Sequence, residues 1–434
     1  MTRTLSATLL LLALGTGGAQ AQDTQLESLR TTARAERRDA GAQRAYGLAL
    51  LQAGEYREAD RVLRAAARLS SDSVESLYDV ARVAFAQNEY RQARSACRLL
   101  ERAERNAALT HVCRARAFLI WNRSGRAFEE LEAAQAASGA EFETQLALGD
   151  AHRLRGEVSE SESAYRAAIA QSATRAEPHT GLGLLYLAAQ RNDEATRALR
   201  AAHNIDSSDP ATNLALAGIV RGDEGRRLVD AAITRRPGDP AAQVLRGQLA
   251  LDAEDLDVAE VAFRAALEGE ALAAAFVGLG DVLLAKGDQD GAEAALQSAL
   301  ALVPSNAEVV LSLGRLAESR GQSREAFRNY RHAADLNPGN PNGLLLAARL
   351  ALSQRRANLA TGFLDRLLQR HPNLGPALEL YGDALASRSE RATARTYYER
   401  ALSGTGDVDQ AAIRAKIAGL TAPARDNMGR ATAP

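Results

Sequence analysis

Apolar residues in this chain recur at helical spacing, and turn residues break the helical stretches at regular intervals. In the stretch 307–340, Val310, Leu313 and Ala317 fall three and four residues apart, as on one face of a helix. Gly321 interrupts this pattern, and a second apolar stripe follows before a Pro-Gly pair ends the stretch. The pattern therefore predicts two helices joined by a turn.

Small residues mark one position in each of these two helices along most of the chain. In the second helix they recur at steps of 34 residues, apart from one step of 30 and one of 33. The series in the first helix is Gly47, Ala81, Ala115, Gly149, Gly183, Ala217, Gly247, Gly280, Gly314, Ala348 and Gly382. The series in the second helix is Ala59, Ala93, Ala127, Ser161, Ala195, Gly225, Ala259, Ala292, Ala326, Ala360 and Ala394. Because a larger side chain between closely packed helices costs ~1–3 kcal/mol, the series predicts eleven close helix crossings.

The period and the small positions resemble the tetratricopeptide repeat family over about residues 40–406. The resemblance implies an all-α fold, a right-handed α-solenoid (superhelix) of about eleven helix-turn-helix repeats with a C-terminal capping helix. It also implies that the first helices line a concave face, where members of the family hold peptide or protein segments.

Period and composition together divide the chain into seven segments. We expect a signal peptide at 1–21, a helical lead-in at 22–39, repeats one to five at 40–209, a shortened sixth repeat at 210–239, repeats seven to eleven at 240–406, a capping helix at 408–420 and a disordered tail at 421–434. In repeat six, Ala217 and Gly225 lie 8 residues apart where other repeats have 12. About one turn of its first helix is therefore missing, which predicts either a kink or a tolerated deletion.

The N-terminal segment has the features of a secretory signal. Arg3 precedes an apolar stretch at 9–14, and small residues form a cleavage site before Gln22. The stretch is shorter than the ~20 residues of a spanning helix, which disfavours a membrane anchor. Basic residues are arginine apart from Lys286 and Lys416, which is typical of a GC-rich bacterium. We expect export across the inner membrane to the periplasm or cell envelope of such an organism.

Charge and motifs limit the classes of function. The formal net charge is −1, which disfavours a dedicated binder of nucleic acid or anionic membranes. The sequence contains no phosphate-binding loop, HExxH, GxSxG or paired zinc-knuckle cysteines. It therefore predicts a non-enzyme that holds neither a cofactor nor a metal.

Two cysteines fall on helices that the repeat pattern makes antiparallel neighbours. Cys97 lies in the second helix of repeat two and Cys113 in the first helix of repeat three. In an oxidising compartment they could form a disulfide. The alternatives are two buried thiols that act as small apolar residues, and a metal site with His111.

Carried onto this chain, the resemblance assigns groove-facing positions in repeats two to four. They are Tyr78, Arg82, Phe85, Val112, Arg116, Leu119, Leu146, Asp150 and Arg153. Equivalent positions in the second half are Asp281, Leu284, Arg315, Arg349, Leu352 and Asp383. Arginine and aromatic residues are frequent anchors of protein interfaces, and the mixed charges favour a polypeptide ligand.

The resemblance and the expected export predict a non-catalytic scaffold or adaptor for other proteins of the bacterial cell envelope. The alternative is a ligand-binding accessory subunit of an envelope polysaccharide or peptidoglycan enzyme system. A carbohydrate groove needs exposed aromatic residues, and Trp121 is the only tryptophan, which weighs against that alternative.

Overall fold

The computed structural model describes residues 24–69, 74–103, 107–137, 141–268 and 272–421. The predicted signal peptide and residues 422–434 of the predicted tail lie outside the described residues. Across the described ranges the regular structure is helical, and the β-type pairing is one isolated bridge between Leu374 and Thr405. The all-α fold class is confirmed.

The chain divides into two compact units by its internal contacts, and the boundary in the sequence falls between Ala253 and Glu254. In the first unit, residues 24–35 form helix α1. The helices that follow it are α2 (Ala40–Gln52), α3 (Tyr56–Leu69), α4 (Val74–Ala86), α5 (Tyr90–Ala103), α6 (Ala107–Ile120), α7 (Ser124–Ala136), α8 (Glu141–Arg155), α9 (Val158–Gln171), α10 (Glu177–Ala188), α11 (Asn192–Ile205), α12 (Pro210–Val220), α13 (Gly222–Arg235) and α14 (Pro240–Asp252). The helices of the second unit are α15 (Leu256–Ala266), α16 (Ala273–Ala285), α17 (Gln289–Leu302), α18 (Ala307–Ser319), α19 (Ser323–Leu336), α20 (Asn342–Ser353), α21 (Ala357–Leu368), α22 (Gly375–Ser387), α23 (Arg391–Leu402) and α24 (Gln410–Thr421).

Helices α2 to α23 follow one another as eleven pairs, which match the eleven predicted repeats. In pairs that lie within one compact unit, such as α8 with α9 and α18 with α19, the small residue of the first helix lies against a bulky residue of the second. A Cβ atom added to Gly149 would lie 2.5 Å from the ring of Tyr165, and one added to Gly314 would lie 2.5 Å from the ring of Tyr330. Both tyrosine side chains are fully buried. The glycines therefore allow the close crossings that the sequence predicts.

Each of the eleven pairs is joined by a turn that contains a residue with positive φ. These residues are Gly54, Asn88, Asn122, Gly156, Gln190, Arg221, Glu254, Gly287, Gly321, Arg355 and Ser389. Left-handed backbone reverses the chain within a few residues, and side chains other than glycine adopt it at a cost. Seven of the eleven turns nevertheless use another residue.

Repeat six is shortened in its turn as well as in its first helix. Helix α12 has 11 residues, and only Arg221, with φ 44°, separates it from α13. Most other pairs have three residues at this place. The sequence interpretation assigned the whole deletion to the helix. The chain instead reverses over Arg221 and Gly222, both of which have positive φ. The kink stays a prediction.

Helix α24 covers the apolar end of the last repeat. Ile413 is fully buried, and Ile417 and Leu420 pack beside it against α22 and α23. Lys416 on the same helix donates hydrogen bonds to Glu379 and to Asp383, at 2.7 and 2.9 Å. The predicted capping helix is present and extends to Thr421.

A disulfide joins repeat two to repeat three. The Sγ atoms of Cys97 on α5 and Cys113 on α6 are bonded, and the two Cα atoms lie 5.6 Å apart. Nδ1 of His111 is hydrogen-bonded to Glu130 at 2.7 Å. The alternative of a metal site with His111 is wrong, because both thiols are used in the disulfide.

Candidate partner-binding groove

First helices of the first compact unit surround a groove. Two adjoining cavities, of about 270 and 680 Å³, share part of their lining. The shared residues are Leu51, Gln52, Arg82, Arg116, Arg175, Glu177, Asp206 and Asp209. They come from α2, α4 and α6, from the first residue of α10, and from the turns that precede α10 and α12. The groove thus combines an apolar floor with charges of both signs.

Five groove residues named from the sequence line these cavities. Arg82 and Arg116 line both, Phe85 lines the smaller, and Leu146 and Asp150 line the larger. The guanidinium of Arg116 lies 5.1 Å from the ring centroid of Phe85 and 3.7 Å from Asp150. The four charged and aromatic residues among them form one continuous surface, as a shared binding face requires.

The other four named residues do not line the cavities. Val112 is fully buried and Tyr78 is 4 % exposed, so neither presents a free surface to a partner. The Tyr78 hydroxyl is 3.3 Å from Glu143, and its burial raises its pKa. Leu119 is partly buried against the apolar core, and Arg153 donates to the Tyr165 hydroxyl at 3.2 Å. Helical periodicity assigns a face, but it does not show that neighbouring repeats cover part of that face.

The sequence reasoning missed the charged residues in the turns between repeats. Arg175 and Glu177 precede or open α10, while Asp206 and Asp209 precede α12. These positions have no place in the helical periodicity that identified the first-helix residues. The closely spaced charges between repeats are the signal that points to them.

Arg175 contacts both acidic and aromatic side chains at the groove. Its Nη2 donates to Glu177 at 2.7 Å, and its Nη1 donates to Glu143 at 3.2 Å. The guanidinium also lies 4.3 Å from the ring centroid of Phe142. Burial opposes ionisation of Glu177, but the hydrogen bonds and charge of Arg175 hold the pKa of that carboxyl below its usual value. Arg82 also approaches Glu177, at 3.5 Å.

Arg236 provides a donor at one end of the smaller cavity. Its Nε is buried and has no hydrogen-bond acceptor among the described residues. Its guanidinium lies 5.6 Å from the ring centroid of Tyr56, which lines the same cavity. Because a buried donor without an acceptor is costly, this N–H is a candidate contact for a bound group.

In the second compact unit, the residues at positions equivalent to the groove residues differ in how many of their polar atoms are hydrogen-bonded. Arg315 donates to Asp281 at 3.1 Å, and the Oδ1 of Asp281 is buried without a donor among the described residues. Asp383 accepts from Tyr398 at 2.7 Å and from Lys416 at 2.9 Å. Lys416 belongs to the capping helix, so this helix already contacts the Asp383 carboxylate at the equivalent position.

A succession of helix pairs that each pack on their neighbours defines an α-solenoid, a class of protein that presents extended binding surfaces. The family model described as tetratricopeptide repeat matches residues 45–108, 221–271 and 247–307. These matches, together with the eleven pairs and their small-residue crossings, support a tetratricopeptide-repeat protein. Such proteins generally bind other proteins or peptides.

Proteins similar to the chain include one relative and two solved structures. Cellulose synthase operon protein C of Pseudomonas fluorescens (strain SBW25) is 31% identical over 171 residues, and the match covers 36% of this chain and 13% of that relative. The crystal structure of yeast Tom70 aligns over 96% of both chains with a TM-score of 0.49 and 13% identity. The APC/C hetero-tetramer Cut9-Hcn1 aligns over 94% of both with a TM-score of 0.46 and 12% identity.

None of the helices in the described ranges combines the length and the apolar character needed to cross a membrane.

Proposed function

We propose that the protein is a non-catalytic scaffold of the bacterial cell envelope that holds a polypeptide segment in the groove of its first compact unit. The observation that carries this proposal is that two adjoining cavities bring together Arg82, Phe85, Arg116 and Asp150 with the Arg175–Glu177 pair. Arginine beside an aromatic ring is typical of the anchors of protein interfaces. Mixed charges favour a defined sequence over a uniform polyanion.

The buried Nε of Arg236 indicates that the bound segment offers a hydrogen-bond acceptor. This Nε lacks an acceptor among the described residues, and a backbone carbonyl or side-chain carboxylate would supply one. Arg116 forms an ion pair with Asp150 at 3.7 Å, and its five N–H groups leave donors for a ligand. We therefore propose a segment with at least one acidic side chain between apolar residues.

Three observations support an envelope location. The N-terminal segment has the composition of a signal peptide. The disulfide between Cys97 and Cys113 is of a kind that persists in oxidising compartments. A cellulose synthase operon protein is among the relatives, in keeping with an envelope polysaccharide system.

The same relative favours a second candidate function, an accessory subunit of an envelope polysaccharide enzyme system. In this role the solenoid would recruit a ligand or partner to the enzymes of that system. The two candidates differ in their ligand, which is a polypeptide for the first and a glycan for the second.

Affinity capture from an envelope extract tests the scaffold proposal. The bait is the full mature chain, beside a groove variant with Arg82→Ala, Phe85→Ala and Arg116→Ala. A matched control carries Arg61→Ala and Arg68→Ala, two exposed arginines of α3 outside the groove.

Cross-linking and mass spectrometry would map the captured segment, and a synthetic peptide of that segment would give the affinity. We expect the groove variant to bind the peptide at least about tenfold more weakly and the control to bind it normally. Equal binding by all three proteins would contradict the proposed groove, provided that circular dichroism shows intact helices.

A further inference from the structure

A second recess of about 600 Å³ lies between α5, the C-terminal half of α6 and the start of α7. It has no lining residue in common with the groove. Its lining combines an aromatic cluster with five arginines, Arg94, Arg98, Arg114, Arg123 and Arg126. Glu101 is the single carboxylate in that lining. We infer that this recess binds a carboxylate-bearing polysaccharide, which goes beyond the scaffold role.

The aromatic cluster forms an exposed platform. Trp121 stacks on Tyr90 with centroids 4.8 Å apart and an interplanar angle of 23°. Phe118 is nearly parallel to it at 6.5 Å and 19°. Trp121 nevertheless keeps 49 % of its surface exposed. The exposed part of the indole is a flat apolar surface, which suits the flat face of a sugar ring better than a protruding side chain.

The arginines of the recess are mostly free of acidic partners. Arg114 pairs with Glu130 at 2.8 Å. Among the described residues, Arg94, Arg98 and Arg126 have neither an ion pair nor a side-chain hydrogen bond. Arg94 and Arg98 lie four residues apart on α5, where like charges repel. The fold leaves this positive charge unneutralised at the rim of the platform.

A polyuronate satisfies both features of the recess. Its pyranose ring offers an apolar face to Trp121, and its carboxylate accepts paired hydrogen bonds from a guanidinium. The guanidinium of Arg123 lies 5.0 Å from the centroid of the indole ring, so it is within reach of a carboxylate on a sugar that contacts the exposed part of that ring. A neutral glycan would leave the arginines unpaired, and a ringless polyanion would leave the platform exposed.

The single tryptophan of the chain makes the test direct, because its fluorescence reports only on this recess. The full mature chain is titrated with an oligogalacturonate, with a neutral cello-oligosaccharide and with polyglutamate. The test variant carries Arg94→Gln and Arg98→Gln. The control carries Arg324→Gln and Arg331→Gln, two exposed arginines of α19.

We expect a saturable fluorescence change with oligogalacturonate and little change with the other two polymers. The test variant should bind at least tenfold more weakly, and the control should bind normally. Calorimetry on Trp121→Ala should show lost affinity, with partial retention in Trp121→Phe, which keeps a ring. The groove variant of Arg82, Phe85 and Arg116 should bind the uronate normally, so the two proposals fail separately.

Absence of a saturable change with oligogalacturonate would overturn the inference. Equal affinity for polyglutamate would assign the recess to acidic polypeptides instead. If the control variant lost affinity to the same extent, the effect would come from the overall charge of the protein and not from the recess. Unchanged far-ultraviolet circular dichroism in each variant shows that the loss does not come from unfolding.

Discussion

The guanidinium of Arg236 lies over the ring of Tyr56, 5.6 Å from the ring centroid, and so joins the end of the sixth repeat to the first. At the same place, a Cβ atom added to Gly54 would lie 3.0 Å from the carbonyl oxygen of Arg235. Six repeats of the first compact unit therefore bring their two ends into contact at the groove. Side chains from distant parts of the sequence meet there.

This contact predicts different effects of alanine at two glycines with similar backbone. Gly54 has φ +77° and Gly156 has φ +74°, but an added Cβ at Gly156 would meet no atom within 4 Å. Gly156→Ala should cost about 1–2 kcal/mol of unfolding free energy for the left-handed conformation alone. Gly54→Ala should cost more, since it also displaces the Arg235 carbonyl. Urea unfolding of the full chain measures both, and equal losses would contradict the contact.

Alanine at the small helix-crossing position should destabilise the second compact unit. A Cβ atom added to Gly314 would lie 2.5 Å from the ring of Tyr330, so Gly314→Ala should cost ~1–3 kcal/mol. Gly362 in α21 is the matched control, because an added Cβ would meet no atom within 4 Å. Gly362→Ala should stabilise by up to about 1 kcal/mol through helix propensity. Stabilisation by both changes would show that the crossing is looser than described.

These glycines also show how much the sequence alone could predict. The 34-residue period fixed the eleven helix pairs, because a crossing tolerates only small residues at one position. The family resemblance pointed to Arg82 and Arg116, which line both cavities, but their role in binding stays a prediction. It could not find Arg175 and Glu177, which lie where one repeat passes to the next. It also could not show that Val112 is covered, because burial between repeats depends on their stacking.

Reduction of the disulfide should destabilise the first compact unit. The bond between Cys97 and Cys113 closes a loop with a sequence separation of 16, for which the chain-entropy model gives about 3 kcal/mol. Urea unfolding with and without dithiothreitol measures this difference. The double variant Cys97→Ala, Cys113→Ala should not respond to dithiothreitol. Alkylation of both cysteines in the unreduced, denatured protein would contradict the bond.

The Arg175–Glu177 pair should make stability depend on pH in the acidic range. The pKa of Glu177 is lower in the folded protein than its ordinary value of 4.5. Its contribution is therefore fully present above that value and is lost as the pH falls through the folded pKa. At neutral pH, Glu177→Gln should cost less than about 1 kcal/mol, because the carboxylate is 40 % exposed.

Chemical unfolding of the wild type and Glu177→Gln between neutral and acidic pH measures this effect. The difference between the two proteins should shrink on acidification. Glu129→Gln changes an exposed carboxylate that has no ion pair among the described residues, and it should give a difference independent of pH. A constant difference for Glu177→Gln would exclude the assigned role of Arg175.

Substitution of glycine for some of the left-handed turn residues should raise the stability of this protein without changing what it binds. Gln190 and Ser389 adopt φ 59° and 65°, conformations that glycine accepts with about 1 kcal/mol less strain. Neither residue lines the groove or the aromatic recess. Glycine at these turns should raise the melting temperature while affinity stays constant. In repeats five and eleven, heat tolerance and ligand choice therefore depend on separate positions and can evolve independently.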